Sequence, residues 1–480
     1  MGLLTNTKWV ALSQSIKIVV QLLNIIVLAR LIPPSEYGIM AMAFVIVNFA
    51  GLVRDLGTAA AIIQRRNIED KTINAIFWLN VLMGLGIAFI IVIFSPLISS
   101  FFKEDKLILV LCLLSISFPL ASSSSAHLAL LEKKSRFKEV AFIEISSSVI
   151  AVFIAMLLAY IGWGVYSLVA QAVVMSLIST VQFWIKSEWR PVFNRIIDWP
   201  EIKGVFGFSG NLTLFNFINY FSRNADSMII GHFFTSAILG AYSLAYRVML
   251  FPIQNMTFVA SRALYPVFSE HQDDNKKLRD AYFNTLYVIL FFVLPLMVGL
   301  AILSHPFVFL VFGEKWELTA LILAWLAPTG IIQSVLSSSG TIFMAKGRTD
   351  VLMKLGVLGM ILQVTAFYLG VQYDVVTLAK FYFFANLINF FPVMFFVMKM
   401  LDGSFLFLIG KVYKLILCTI IMSIVILYLK ENIMFFYEMD SFFSLITLSL
   451  FGAFIYFLTL FLIDSNVKTL LSVLMEKRQR

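Results

Sequence analysis

Within the stretch "NFINYFSRNADSMIIGHFF", residues 216–234, Arg223 and Asp226 stand three residues apart in a run otherwise long and apolar enough to cross a bilayer. Two further cations, Lys17 and Arg247, lie in comparable runs with no acid in their own segments. A Lys or Arg at mid-bilayer costs roughly 2.5–3.5 kcal/mol on insertion scales, so such groups should turn toward a neighbouring helix or a wet cavity. The chemistry they offer is recognition of an anion, because a guanidinium presents a planar fork of donors that clasps an oxyanion through two hydrogen bonds. Lys17, Arg223 and Arg247 are therefore expected to be cavity cations for an anionic substrate. For Arg223 and Asp226 the competing expectation is a local ion pair that neutralises both and holds helices together.

Covalent chemistry has no foothold in the sequence. Neither a phosphate-cradling G-x-x-x-x-G-K-[ST] nor H-E-x-x-H occurs. No segment outside the expected spans exceeds roughly twenty residues, which leaves no room for a soluble catalytic or nucleotide-binding domain. His127, His232, His271 and His305 fall at span ends or in a loop, with no second His or carboxylate at ligand spacing, and are expected to be interfacial or solvated. Cys112 and Cys418 lie in apolar runs and are expected to be core thiols. No metal, no cofactor and no enzyme activity are expected.

The elements that must position these cations are membrane helices. Of 480 residues, 60% are hydrophobic and 13% charged, and the apolar residues recur in runs of about twenty, the length that spans hydrocarbon. The expected class is an all-α integral membrane protein. Fourteen transmembrane helices are expected near 9–32, 38–57, 77–99, 107–129, 141–161, 165–186, 206–232, 239–260, 282–304, 318–345, 351–371, 377–398, 413–430 and 442–463. The first is too long for a signal-peptide core and lacks a small-residue cleavage site, so it is taken as retained. With both termini cytoplasmic, only Arg30, Lys103, Lys106, Lys315, Lys380 and Lys430 among the 36 Lys and Arg residues fall outside. Lys17, Arg54, Arg223 and Arg247 fall within spans, and the other 26 lie inside. That asymmetry obeys the positive-inside rule, so the net charge of +9 is a topology signal that requires no nucleic acid.

Sliding the chain on itself by 202 residues sets "LARLIPPSEYGIMAMAF" (28–44) over "IGHFFTSAILGAYSLAY" (230–246), with Gly38 on Gly240 and Ala43 on Ala245. Upstream, Gln14, Lys17, Gln21 and Asn24 land on Asn216, Asn219, Arg223 and Asp226. Both sets are spaced three, four, three, which places each along one stripe of a helix. The stripes are expected to line an interior, as parallel repeats related by an axis along the membrane normal. Arg54, Asp55 and Glu144 lie near the cytoplasmic ends of their spans, as anchors that snorkel to the surface or as a candidate gate.

The segments "LARLIPPSEYGIMAMAFVIVNFAGLVRDLGTAAAIIQRR", "SRNADSMIIGHFFTSAILGAYSLAYRVMLFPIQNMTFVASRALYPVFSE" and "MAKGRTD" resemble the polysaccharide transporter branch of the multidrug/oligosaccharidyl-lipid/polysaccharide exporter superfamily. That branch holds the Wzx-type flippases and the colanic or teichuronic acid exporters. The resemblance covers essentially the whole chain, and "RNAD" followed by "LGAYSLAYR" is its most specific part. It implies two six-helix bundles about a central cavity, at 1–200 and 201–400, with two additional transmembrane helices and a cytoplasmic tail at 401–480. It implies a bacterial cytoplasmic membrane and a transporter that flips an undecaprenyl-pyrophosphate-linked oligosaccharide to the outer leaflet by alternating access. Carried over by position, Lys17, Arg223 and Arg247 would meet pyrophosphate or acidic sugars, with Gln14, Gln21, Asn24, Asn216, Asn219 and Asp226 as the polar face. Implied partners are the lipid-linked oligosaccharide and membrane lipids, with a polysaccharide polymerase and chain-length proteins beyond them. The alternatives are a multidrug antiporter or a lipid II flippase of the same superfamily and, more distantly, a membrane-embedded polymerase or ligase. Against the antiporter, the first span offers Lys17 and no acid; against the polymerase, the outer segment "SHPFVFLVFGEKWELT" is short and largely apolar.

Overall fold

A computed structural model describes residues 3–54, 62–63, 68–193, 210–270, 274–432 and 442–464, of which the side chains at 3–13, 210–219, 222–223 and 255–270 are outside the description. Among the described residues the chain forms sixteen α-helices and no strand. In hydrocarbon every backbone N–H and C=O must be satisfied within its own segment, and a helix does so. In chain order they are α1 Leu3–Leu31, α2 Pro34–Arg54, α3 Asp70–Phe102, α4 Lys106–Ser115, α5 Ser117–Lys133, α6 Phe137–Tyr160, α7 Val165–Lys186 and α8 Gly210–Phe233. They continue as α9 Ser236–Glu270, α10 Asn275–Ile302, α11 Ser304–Phe312, α12 Glu317–Ala345, α13 Thr349–Gly370, α14 Val375–Met400, α15 Phe405–Asn432 and α16 Phe442–Ile463.

Among the described residues, 13 helical stretches are long and apolar enough to cross a membrane. This is a multi-pass membrane protein. The stretch absent from that set is α8, where the seventh span is expected. It is a helix of 24 residues, about 36 Å at 1.5 Å per residue, but Asn211, Asn216, Asn219, Arg223, Asn224 and Asp226 interrupt its apolar run. The fourth span is broken at Ile116 into α4 and α5, and Pro119 sits in the first turn of α5, where a missing N–H costs nothing. Pro96, Pro295, Pro328 and Pro392 lie inside α3, α10, α12 and α14.

The chain divides into two compact units, Met1–Gly240 and Ala241–Arg480. In the first, α6 packs on α1 and α7, α3 on α4 and α5, and α2 on α4 and α8. In the second, α12 packs on α10 and α14, α13 on α14, and α15 on α10 and α16. Lipid is as apolar as the side chains, so close packing holds helices together, and small residues allow it. Gly84 of α3 faces Ser122 of α5, and Gly359 of α13 faces Asn389 of α14. The serine runs serve the same end: the hydroxyls of Ser123, Ser124 and Ser125 donate to carbonyls three residues back at 2.8–2.9 Å.

Candidate functional site

The polar stripe of α1 is only partly a bare surface. Gln14 and Gln21 are exposed, while Lys17 and Asn24 are half-buried. Lys17 Nζ donates to Glu144 Oε2 of α6, an ion pair whose side chains keep 33% and 40% of their exposure. Lys17 thus has an acid that its own helix does not supply. Glu144, expected to anchor or gate, is that partner. Asn24 Oδ1 is buried and meets no hydrogen-bond donor among the described residues, an acceptor on the same stripe.

The second stripe lies on α8. Asp226 is 4% exposed and accepts from the Ser227 N–H at 2.6 Å. The helix is fastened to α2 by Tyr220, whose hydroxyl donates to the Val45 carbonyl and whose ring packs 5.7 Å from that of Phe49. Asn224 Nδ2 donates to the Tyr220 carbonyl at 2.9 Å. The side chains of Asn216, Asn219 and Arg223 lie outside the described residues, as does Asp55. Arg54 is the last residue of α2 and half-buried. Arg247, in the second unit, is half-buried in α9. Among the described residues no acid lies within ion-pair distance of it.

His127 departs from expectation. It is fully buried rather than interfacial, boxed by Phe77 of α3 at 6.1 Å, Trp184 of α7 at 4.7 Å and Trp189 at 5.5 Å between ring centroids. These rings come from segments far apart in the chain, so no local pattern announces the box.

Three charged clusters escape a helix-by-helix reading. Glu36 accepts from Lys106 Nζ at 2.7 Å and from the Val165 N–H at 3.0 Å, tying the starts of α2, α4 and α7 together. Lys414 Nζ donates to Asp464 Oδ1 at 3.0 Å and the Tyr287 hydroxyl to Oδ2 at 2.6 Å, with Asp464 1% exposed. At the expected cytoplasmic end, a cleft of about 580 Å³ is lined by Lys133, Lys134, Arg136, Asp70, Glu188 and Trp189, among others. There Arg136 clasps Glu139 through two bonds of 2.7 Å, and Lys134 reaches Glu188 at 3.1 Å. The hydrogen bond and charge of Lys134, with Arg136 beside it, hold the Glu188 carboxyl below its ordinary range. The hydrogen bond to Glu139 raises the Arg136 guanidinium. "LEKKSRFKE" carries the i, i+3 signal for one of these pairs; the others join distant segments.

Among the described residues no group of three or more His, Cys, Asp or Glu could hold a metal, and Cys112 and Cys418 are free thiols. Such cations can bind an oxyanion, and of Lys17, Arg223 and Arg247 it is Arg247 whose side chain is described and meets no acid within ion-pair distance among the described residues.

The sequence profile of a family described as "Polysaccharide biosynthesis protein" matches residues 27–321. The chain is similar to "Lipopolysaccharide biosynthesis protein WzxC" of Escherichia coli, 29% identical over 77% of this chain and 75% of that one. It is also similar to "Teichuronic acid biosynthesis protein TuaB" of Bacillus subtilis, 26% identical over 72% of each. In fold it resembles a solved structure titled "Lipid II flippase MurJ, inward closed conformation", with a TM-score of 0.73 over 94% of this chain and 97% of that one at 16% identity.

Proposed function

The chain belongs to the polysaccharide biosynthesis protein family, and on that premise we propose that it is a transporter and not an enzyme, one that flips a lipid-linked oligosaccharide, the precursor of a surface polysaccharide. The direction is from the cytoplasmic to the outer leaflet of a bacterial cytoplasmic membrane, by alternating access, with both termini cytoplasmic. The lipid is an undecaprenyl pyrophosphate. Its head group is an anion that a guanidinium clasps bidentately, and a wet, cationic interior lowers the cost of moving phosphate and sugars through hydrocarbon.

Arg247 is the observation that carries this reading: a charge in a membrane helix with no acid beside it among the described residues is held at a cost that binding an anionic cargo repays. Arg223, its companion on α8, is assigned the same role. Lys17 enters as one half of an exchangeable pair, able to leave Glu144 for a phosphate because both side chains keep a third or more of their exposure. Gln14, Gln21 and Asn24 of α1 with Asn216, Asn219 and Asp226 of α8 form the polar face along which sugars move, and Arg54 and Asp55 belong to the cytoplasmic gate. The divisions we assign to the transporter are two six-helix halves, 1–200 and 201–400, with the additional helices of 401–480.

The test is made in cells whose own copy is deleted and which then accumulate the lipid-linked oligosaccharide on the inner leaflet. The wild-type gene should restore surface polysaccharide, while Arg223→Ala and Arg247→Ala should insert normally and fail to restore it. Full polymer from both variants contradicts the assignment.

A further inference from the structure

At two junctions of the first unit, backbone meets backbone. A Cβ built on Gly38 would stand 1.7 Å from the carbonyl oxygen of Ser236, and one built on Gly240 would stand 1.9 Å from the carbonyl oxygen of Pro34. No side-chain rotation relieves a clash with a carbonyl, so glycine alone fits either position. The contact is also reciprocal. Under the 202-residue offset Gly240 is the mate of Gly38, and Ser236 is the mate of Pro34, so each repeat sets its glycine against the same point of the other. That is the signature of an isologous contact about a two-fold axis, made here by two pieces of one chain that both lie within Met1–Gly240.

The surroundings suit a surface that closes and parts. Tyr37, Ile39, Met40 and Leu239 are buried, and Glu36 pins the start of α2 to Lys106 and to the Val165 N–H on its other side. One side of this turn is therefore held rigidly while the other presents bare main chain. Pro34, Gly38, Ser236 and Gly240 are uncharged and small, so the crossing seals without interlocking side chains and opens without separating an ion pair.

We propose that this reciprocal glycine crossing of α2 and α9 is the outer seal of the transport cycle, formed in the conformation described here and parted when cargo leaves toward the outer leaflet. The proposal rests on the alternating-access function given above. An added methyl at either glycine excludes the sealed state and shifts the population toward the parted one.

The experiment uses the full-length protein carrying Cys112→Ala and Cys418→Ala, with spin labels on Pro33→Cys and Thr235→Cys. These two positions are exposed repeat-mates that flank the crossing. The parent should give one short inter-label distance. Gly38→Ala and Gly240→Ala should each move the distribution to longer distances, whereas Gly51→Ala in the same α2, whose Cβ would meet nothing within 4 Å, should leave it in place. In a second arm both glycines are kept, and the same two cysteines are joined by a short reducible cross-linker. Transport of the lipid-linked oligosaccharide should fall roughly tenfold or more and return on reduction. An unchanged distance in both glycine variants, or undiminished transport in the cross-linked protein, overturns the proposal. The distance needs no cargo, so the expected shift in a protein whose parent moves no such lipid upholds the crossing and contradicts the function.

Discussion

Lys17 of α1 and Arg247 of α9 are alike in sequence, each a cation within an apolar run that holds no acid. The fold treats them differently. α1 lies against α6, which brings Glu144 to Lys17, whereas among the described residues Arg247 on α9 receives no acid. A charge consumed by a neighbour mainly holds helices together, and a charge left without one is available to a cargo. Lys414 extends the contrast, since its partner Asp464 is 1% exposed and also bonded to Tyr287. It is a structural pair with nothing left to offer.

The largest expected effect is at that structural extreme. Lys414→Met strands a buried carboxylate and should lower stability by about 3 kcal/mol, read as a fall in the unfolding midpoint, while Lys414→Met with Asp464→Leu should recover most of it. Next comes Arg247→Ala, which should slow transport roughly tenfold to a hundredfold, the worth of hydrogen bonds to a charged group, with the unfolding midpoint unmoved. Arg247→Lys should recover part of that loss, because an ammonium keeps the charge and lacks the fork. A transport loss from Arg247→Ala matched by an equal loss of stability would erase the contrast.

Smaller effects should attend Lys17 and Glu144. Their pair is a third or more exposed, so solvent screening discounts it, and a double-mutant cycle with Lys17→Met and Glu144→Gln should give a coupling of about 0.5–1 kcal/mol in stability. A coupling near zero would return Lys17 to the class of Arg247. The smallest effect is in the cytoplasmic cleft. Glu188 has its carboxyl depressed by Lys134 and Arg136. Its contribution should be complete above the ordinary carboxylate pKa and fade only as pH falls through the depressed one. A titration followed at Glu188 should show that order, and Glu188→Gln should leave transport within about twofold, as befits an exposed pair.

The class, the spans and the presence of cations within them were legible locally, because hydropathy and spacing are properties of one segment at a time. Pairing was not. Glu144 lies 127 residues from Lys17, and which helices become neighbours is a property of the whole fold. His127 shows the same limit, since its box of Phe77, Trp184 and Trp189 is assembled from several segments. Gly38 and Gly240 were visible as aligned positions of a repeat, yet a repeat does not say that its two copies touch. The break at Ile116 and the polar course of α8 depart from a plain run of apolar spans, and in α8 the cause is the same polar residues that make it a candidate site.

The most direct measurement is flipping by the purified protein in liposomes loaded with an undecaprenyl-pyrophosphate oligosaccharide, counted by an enzyme that reaches only the outer leaflet. Wild-type protein should expose the lipid well above the protein-free rate, Arg247→Ala should expose it at least roughly tenfold more slowly, and Lys17→Met should fall between them. Equal rates for wild type and Arg247→Ala would contradict a cationic grip on the cargo.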